Sequence, residues 1–422
     1  MGPTTARRAA FVALRAWQDY HDRADTIISA ILDRSALQKS DRAFALELFY
    51  GVLRNLVLID FWVGCLRAGS LDADLRDVVR LGLYQLFFLG TPDHAAVNES
   101  VEMVFPKQRG LINAMLRTAV RDRDELRLKA KRQPMAVRQS HPAFLVSRWQ
   151  RIYGLEQTAE LCEWNNQRAK IYARINRLKI DPEQFAQRYP ETEEIRGLPD
   201  FRHCQDVPKD ALARGHCYVQ DPSTIIAGAL LAPEPGETVL DGCAAPGGKT
   251  GHLAQLMQNK GTLIACDRDP QRIKRLNENI GRLGLSVVKT IQHDWTKPRL
   301  PKEIEKIGLF DRILIDVPCT NTGVMQRRVD VRWRLEPDSI ADLCPLQMQI
   351  LQRVSGLLKP GGVLVYSTCS LEPEENEQEI EHFLHQSPNW CLAEQRFSRP
   401  FVDHYDGAFA AKLTLSVPTE GP

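Results

Sequence analysis

Two strings in this sequence place a cysteine directly after an apolar run. Asp311-Arg312-Ile313-Leu314-Ile315-Asp316 leads into Val317-Pro318-Cys319, and Gly362-Val363-Leu364-Val365-Tyr366-Ser367-Thr368 leads into Cys369-Ser370. Short apolar runs of this kind read as buried strands. Both thiols are therefore expected at strand carboxyl ends, where open α/β sheets bind their ligands. Cysteines elsewhere, such as Cys65, Cys162 and Cys391, read as small buried hydrophobes. A cysteine is strongly nucleophilic even when only slightly ionised. Its thiolate can add to carbon 6 of a cytosine ring, which makes carbon 5 enamine-like and able to accept a methyl group from a sulfonium. A base then removes the carbon-5 proton and the thiol leaves. In this scheme Asp316 hydrogen-bonds the cytosine edge at N3, which requires a protonated carboxyl with a raised pKa. Lys249 orients the base or screens charge; its plain alternative is a solvated residue in the first turn of a helix.

The elements that must hold these groups are short strands alternating with helices from about residue 216 onward. Thr238–Asp241, Gly261–Asp267, Val287–Asp294, Asp311–Asp316 and Gly362–Thr368 read as strands, with helices over Pro270–Gly284 and Glu374–His385. Such alternation predicts an α/β, Rossmann-like, mostly parallel doubly wound sheet. The first strand runs into Asp241-Gly242-Cys243-Ala244-Ala245-Pro246-Gly247-Gly248-Lys249-Thr250. Its glycines allow close backbone approach to a ligand and open a helix, while the spacing fails the phosphate-binding Gly-x-x-x-x-Gly-Lys pattern. Asp267, about 20 residues further on, suits two ribose hydroxyls. Asp294 suits an adenine amino group. A helix cap is the plain alternative for either aspartate. Together these strand ends predict a nucleoside cofactor without a long phosphate chain.

Upstream, apolar residues recur at helical spacing through the first ~125 residues, so an all-α domain is expected there, with Val78–Leu89 as its central helix. Arg121, Arg123, Arg127, Lys129, Lys131, Arg132, Arg138, Arg148 and Arg151 then cluster around Pro134 and Ser140-His141-Pro142. This span reads as a basic connection, with a solvated helix end as the even alternative. A strand at Ala169–Asn176 and a helix at Pro182–Arg188 predict a small α+β unit. The resulting division is 1–130, 131–215 and 216–422.

The totals fit this picture: 422 residues, 43% hydrophobic and 26% charged, with a net charge of +2 that by itself marks no nucleic-acid binder. No apolar run is long enough to span a membrane, and Met1–Arg8 lacks the pattern of a signal peptide. The ten cysteines form no CxxC pair and read as reduced thiols of a cytoplasmic protein. His203-Cys204 and His216-Cys217 match no zinc framework, so no metal is expected.

Asp-x-Cys-Ala-Ala-Pro-Gly-Gly-Lys-Thr at 241–250, Asp-Val-Pro-Cys at 316–319 and Ser-Thr-Cys-Ser at 367–370 together resemble the Sun (Nol/Nop/Sun) family of RNA cytosine-5 methyltransferases. Tyr218-Val219-Gln220-Asp221-Pro222-Ser223, Ser140-His141-Pro142 and Asp406–Leu413 are similar to that family as well, so the resemblance runs from ~140 to the end. The first ~125 residues resemble the NusB-like helical RNA-binding domain. The combination resembles the bacterial members that act on 16S ribosomal RNA, and it implies that the middle segment is an RRM-like RNA-binding subdomain. The resemblance implies S-adenosylmethionine as cofactor, contacted by Cys243, Ala244, Ala245, Pro246, Gly247, Gly248, Lys249, Asp267, Asp294 and Asp316. It implies Cys369 as nucleophile and Cys319 as the thiol that assists release of the RNA. DNA cytosine-5 enzymes attack instead with the cysteine of their Pro-Cys motif, which makes Cys319 the alternative nucleophile. The implied partner is 16S rRNA, naked or in an assembly intermediate, bound by a monomer. Other readings are methylation of another RNA such as tRNA, a non-catalytic ribosome-assembly factor, and a small-molecule methyltransferase. Two positions depart from the family's pattern: Gly242 replaces a larger apolar residue, and Thr320-Asn321 replaces the common Ser-Gly.

Overall fold

The computed structural model describes residues 5–18 and 23–415; Met1–Thr4, part of the string read for targeting, lies outside them. The chain forms two compact units, one of Met1–Arg168 with Met325–Pro337, the other of Ala169–Val324 with Asp338–Pro422.

The first unit is helical throughout, from Ala6–Ala16 to Ala143–Asn166. The helix Ala73–Phe87 is central as expected, burying Val78, Val79, Leu81, Leu83, Tyr84 and Leu86. The basic span at 121–151 is a further set of helices rather than an open connection: Arg123–Lys131, Met135–Arg138 and the first part of Ala143–Asn166. Leu126 and Ala130 are buried, and the Leu126 carbonyl accepts from the Trp62 indole at 3.1 Å. Several of the basic side chains are engaged locally, Arg121 with Asp122, Arg123 with Asp93 and Lys129 with Glu125.

The segment Met325–Pro337, which no sequence signal singled out, packs into this helical unit. Val329 joins its core, and the fully buried Arg332 guanidinium donates to Ser140 O (3.2 Å), Asn165 O (2.9 Å) and Asn166 Oδ1 (2.6 Å). Asn165 and Asn166 close a helix, so the cation sits where the helix dipole favours it. Burial nevertheless pushes its pKa down to about 9.

The second unit holds two sheets. The smaller is antiparallel, with strands β1 (Ile171–Ile175), β2 (Glu193–Glu194), β3 (Phe201–Cys204) and β4 (Cys217–Val219) in the order β2-β3-β1-β4. Cys204 and Cys217 lie in its core, while His203 contacts Glu193 and His216 contacts Tyr189.

The larger sheet contains β5 (Thr238–Asp241), β6 (Thr262–Asp267), β7 (Val288–Gln292), β8 (Phe310–Asp316), β9 (Leu358–Thr368), β10 (Trp390–Ser398) and β11 (Ala408–Leu415), in the order β10-β11-β9-β8-β5-β6-β7. The five expected strands are parallel. β10 and β11 add an antiparallel edge that the sequence reading had not assigned as strands. The first strand, β5, is flanked by β6 and β8, so the order reverses between β5 and β8. That switch point opens a crevice beyond their carboxyl ends, beside Asp241 and Asp316.

Cys162 is buried as expected, but Cys65 and Cys391 are exposed. Cys65 lies in the last turn of the helix Leu56–Leu66, and Cys391 on the edge strand β10, whose residues 391–396 all face solvent. Among the described residues no single helix is long and apolar enough to cross a membrane.

Candidate active site

β5 passes through Asp241 into the glycine turn, which opens the helix Gly248–Leu256. Gly247 has φ of +106°, a conformation open to glycine and strained for other residues. A Cβ there would also stand 2.8 Å from Leu276 Cδ1. The turn is braced from β6. Asp267, nearly fully buried, accepts from Ala245 N at 3.2 Å and from Asp269 N at 3.0 Å. Arg272 reaches across the same carboxylate and donates to Ala245 O. Asp241 accepts from Thr250 Oγ1 at 2.7 Å, and burial raises its pKa to about 7. Burial likewise pushes the Cys243 thiol well up.

Gly242 is explained by its neighbours. A Cβ would meet Ile315 Cγ2 at 2.9 Å and Trp295 Nε1 at 3.4 Å, and the indole N–H donates to Gly242 O at 2.7 Å. Trp295 and Ile315 thus fill the space that a larger residue at 242 would need.

Asp294 follows β7 and accepts from Thr296 N (3.0 Å) and Thr296 Oγ1 (2.8 Å), bonds that lower its pKa. These bonds serve its own turn. Asp241 Oδ1 and His293 Nε2 are buried polar atoms without a hydrogen-bond partner, both at strand carboxyl ends. A nucleoside moiety, polar and with several donors and acceptors, suits such unpaired atoms. The residues present therefore fit the cofactor that the sequence implied.

At the other side of the switch point the reacting groups converge. Cys319 Sγ and Cys369 Sγ are 3.4 Å apart. Contact with Cys369, together with burial, raises the Cys319 pKa well above the ordinary thiol value. Lys249 Nζ, from the helix after the glycine turn, lies 2.7 Å from Asp316 Oδ2 at the end of β8. Burial opposes the Lys249 charge, but Asp316 outweighs it and Cys369 adds to the effect, so its pKa is raised. The pair places an ammonium against Asp316, where the sequence reading had asked for a protonated carboxyl. Lys249 and Cys369 line one pocket with Ser223, Thr224, Thr368 and Asp406.

The two cysteine loops are tied by a residue the sequence reading passed over. Glu375 is fully buried and accepts from Thr320 N (2.8 Å), Thr320 Oγ1, Ser370 Oγ and Gln347 Nε2 (2.9 Å). Gln347 also donates to Pro318 O at 2.9 Å. Glu375 therefore grips the loops of both cysteines at once. Burial raises its pKa, against the pull of those bonds. Its only sequence signal was an acidic string, Glu374-Glu375, read as the opening of a helix. A second tie runs through Gly323, whose N–H donates to Cys369 O at 3.0 Å while its carbonyl accepts from Gly407 N at 2.8 Å. The backbones at Gly323 and Gly407 touch, leaving no room for a side chain on either. Asp406, next to Gly407, donates its N–H to Asp221 Oδ1 at 3.1 Å. The segments at 218–223 and 406–413, far apart in sequence, thus meet at this pocket.

The structure brings Cys319, Cys369, Lys249 and Asp316 together, and sets Cys243 through Gly248 and Asp267 in one braced turn. Asp294 keeps to its own turn.

The model of a family described as 16S rRNA methyltransferase RsmB/F matches residues 228–414, that of the NusB family residues 4–121, and that of a RsmF/B-like ferredoxin-like domain residues 141–195. The chain is 37% identical over 407 residues to a probable ribosomal RNA small subunit methyltransferase B of Synechocystis, an alignment covering 92% of this chain and 90% of that one. It is 37% identical to the ribosomal RNA small subunit methyltransferase B of Klebsiella pneumoniae, over 88% of this chain and 90% of that one. Among solved structures, that of PH0851 superposes with a TM-score of 0.79 at 26% identity, covering 98% of this chain and 99% of the other.

Proposed function

Because this chain belongs to the ribosomal RNA small subunit methyltransferase B family, we propose that it methylates carbon 5 of a cytosine in 16S ribosomal RNA, with Cys369 as covalent nucleophile. The cofactor is S-adenosylmethionine, which supplies an electrophilic methyl group on its sulfonium. Its contacts fall to the turn Cys243–Lys249 and to Asp267, with Asp294 and Asp316 at the neighbouring strand ends. The helical domain and the small antiparallel sheet bind the RNA, with functional divisions near residues 130 and 215. The protein acts as a monomer in the cytoplasm.

The observation that carries this reading is the 3.4 Å approach of Cys319 and Cys369 in a pocket shared with Lys249. An ammonium beside a thiol favours its thiolate, and Lys249 stands on the Cys369 side. The Cys369 sulfur bonds to carbon 6 of the cytosine, and the ring electrons thereby placed on carbon 5 would form the new bond to the methyl group as its bond to the cofactor's sulfonium sulfur breaks, that pair remaining on the sulfur. A base then takes the carbon-5 proton; the electron pair of that C–H bond becomes the ring double bond, and the sulfur–carbon bond breaks with its pair leaving on the Cys369 sulfur. Asp316 and Lys249 act as a pair on the cytosine edge: the carboxylate accepts from the exocyclic amino group while the ammonium offsets charge gathering on the ring. This assignment replaces the protonated Asp316 with the proton already carried by Lys249. Cys319, held as a neutral thiol, stands beside the sulfur that must leave. The target base must be unstacked and flipped to reach these loops, at a cost of a few kcal/mol.

The test is methyl transfer from labelled S-adenosylmethionine to unmodified 16S rRNA, with the product base identified. Wild type yields 5-methylcytosine, Cys369→Ala yields neither product nor covalent adduct, and Cys319→Ala accumulates an adduct stable to denaturing electrophoresis. Exchange of the two phenotypes would make Cys319 the nucleophile. Transfer only to another RNA would discard 16S rRNA as substrate, and no transfer to any RNA despite bound cofactor would favour a non-catalytic assembly role.

A further inference from the structure

The residue that follows Cys319 by two positions carries a role the reaction scheme has not used. Asn321 has φ of +62°, in the left-handed region that asparagine tolerates better than most side chains. Its Nδ2 donates to Cys319 O at 2.6 Å. A backbone carbonyl can only accept, so this bond fixes which way the amide faces. Oδ1 is then directed at Cys369 Sγ, 3.3 Å away, within reach of an S–H donor. With Cys319 Sγ 3.4 Å from the same sulfur, the donors run in sequence from the Cys319 thiol to Cys369 and from the Cys369 thiol to the amide oxygen.

We propose that Asn321 is a positioning residue that holds Cys369 as a protonated thiol in a fixed orientation, so that the nucleophile ionises only when this contact is released. An amide oxygen stabilises an S–H that points at it and repels the lone pairs of a thiolate. Lys249, lining the same pocket as Cys369, acts in the opposite sense. The Cys319 S–H, donated to the same sulfur, acts with Lys249, and the resting state of the thiol is the balance of Asn321 against these two. The inference rests on Cys369 being the nucleophile, but the contact itself is measurable without any methyl transfer.

The experiment uses the full chain and follows alkylation of Cys369 by iodoacetamide from pH 6 to 10, read on the Cys369 peptide by mass spectrometry. Asn321→Gly relieves the left-handed backbone and removes the acceptor. Its alkylation midpoint falls by about half to one pH unit, which speeds the reaction roughly three- to tenfold below the midpoint. Asn321→Asp keeps the shape and adds negative charge beside the sulfur, so its midpoint rises by about one unit. A merely structural role would leave both midpoints where they are in the wild type, and that result overturns the proposal, as do shifts of the opposite sign. If the midpoints move as stated while Cys369→Ala still methylates RNA, the contact stands and the reading of Cys369 as nucleophile falls.

Discussion

The two sides of the switch point are built by different means. At the cofactor side, the turn from Asp241 to Thr250 is shaped first by its own backbone, a left-handed Gly247 and a helix opening at Gly248, with a brace added by the Asp267 carboxylate to Ala245 N. At the thiol side, the chain is irregular around each cysteine and becomes regular only in single 3-10 turns at Thr322–Val324 and Pro373–Glu375. The two are held to one another by side chains, above all by Glu375, six residues beyond Cys369, which bonds Thr320, Ser370 and Gln347 together. Loss of one side chain should therefore disturb the thiol side widely and the cofactor side only locally.

Glu375→Ala tests the stronger half of that contrast. It leaves Thr320 N buried without its acceptor and Gln347 Nε2 with Pro318 O alone, and removes the carboxylate that bonds both loops. Leaving a buried donor unsatisfied costs about 1–3 kcal/mol of stability, and the other lost bonds add to it. A displacement of the thiols by about 1 Å should lower methyl transfer roughly a hundredfold. Glu375→Gln keeps the shape and one acceptor oxygen, so it should fall between wild type and Glu375→Ala. Thermal unfolding, cofactor affinity and transfer rate, measured on the same samples, decide the matter. If cofactor affinity falls in step with transfer, the two sides are not independent and the contrast fails.

At the cofactor side, Asp241 should act through pH instead. Its pKa is raised from the usual carboxylate value to about 7, chiefly by burial. The folded state thus holds a proton that the unfolded chain gives up at lower pH. The contribution of this group is full below about pH 4 and is lost as pH rises through 7. Asp241→Asn carries no titration, and its amide oxygen can still accept from Thr250. Between pH 5 and pH 8 the wild type should lose about 1–3 kcal/mol more stability than the variant. Equal losses in both proteins, measured by urea unfolding at the two pH values, would show that Asp241 does not titrate in this window.

What could be read in the sequence follows the same division. The glycine turn, the Pro-Cys string and the Thr-Cys-Ser string are contiguous, so each announced its place at a strand end, and the five parallel strands were found from their apolar runs. Glu375 was not legible, because its partner Thr320 lies 55 residues away and no local pattern signals that contact. The strand β10 escaped because a solvent-facing edge carries no alternation: residues 391–396 are all exposed. The helices at 123–138 escaped because their charges suggested a linker, while only Leu126 and Ala130 on Arg123–Lys131 mark the buried side. Arg332 gave no sign of burial, since its partners are mostly main-chain carbonyls supplied by the helical unit.

The smallest effect is expected at Trp295, a second side chain on which the cofactor side depends besides Asp267. Trp295→Phe keeps an aromatic ring under the turn but removes the 2.7 Å bond to Gly242 O. One buried hydrogen bond is worth about 1 kcal/mol, so stability should fall by about that much. Cofactor affinity should weaken by roughly fivefold at most, the same energy expressed as a binding ratio. Alkylation of Cys369 should keep its wild-type pH midpoint, because no bond from Trp295 reaches the thiol loops. The double variant Trp295→Phe with Gly242→Ala sharpens the point. If the larger residue fits once the indole has gone, stability returns toward wild type, and the glycine at 242 is a response to Trp295 alone. If the double variant is worse than either single one, Ile315, at 2.9 Å from the added Cβ, sets the limit instead.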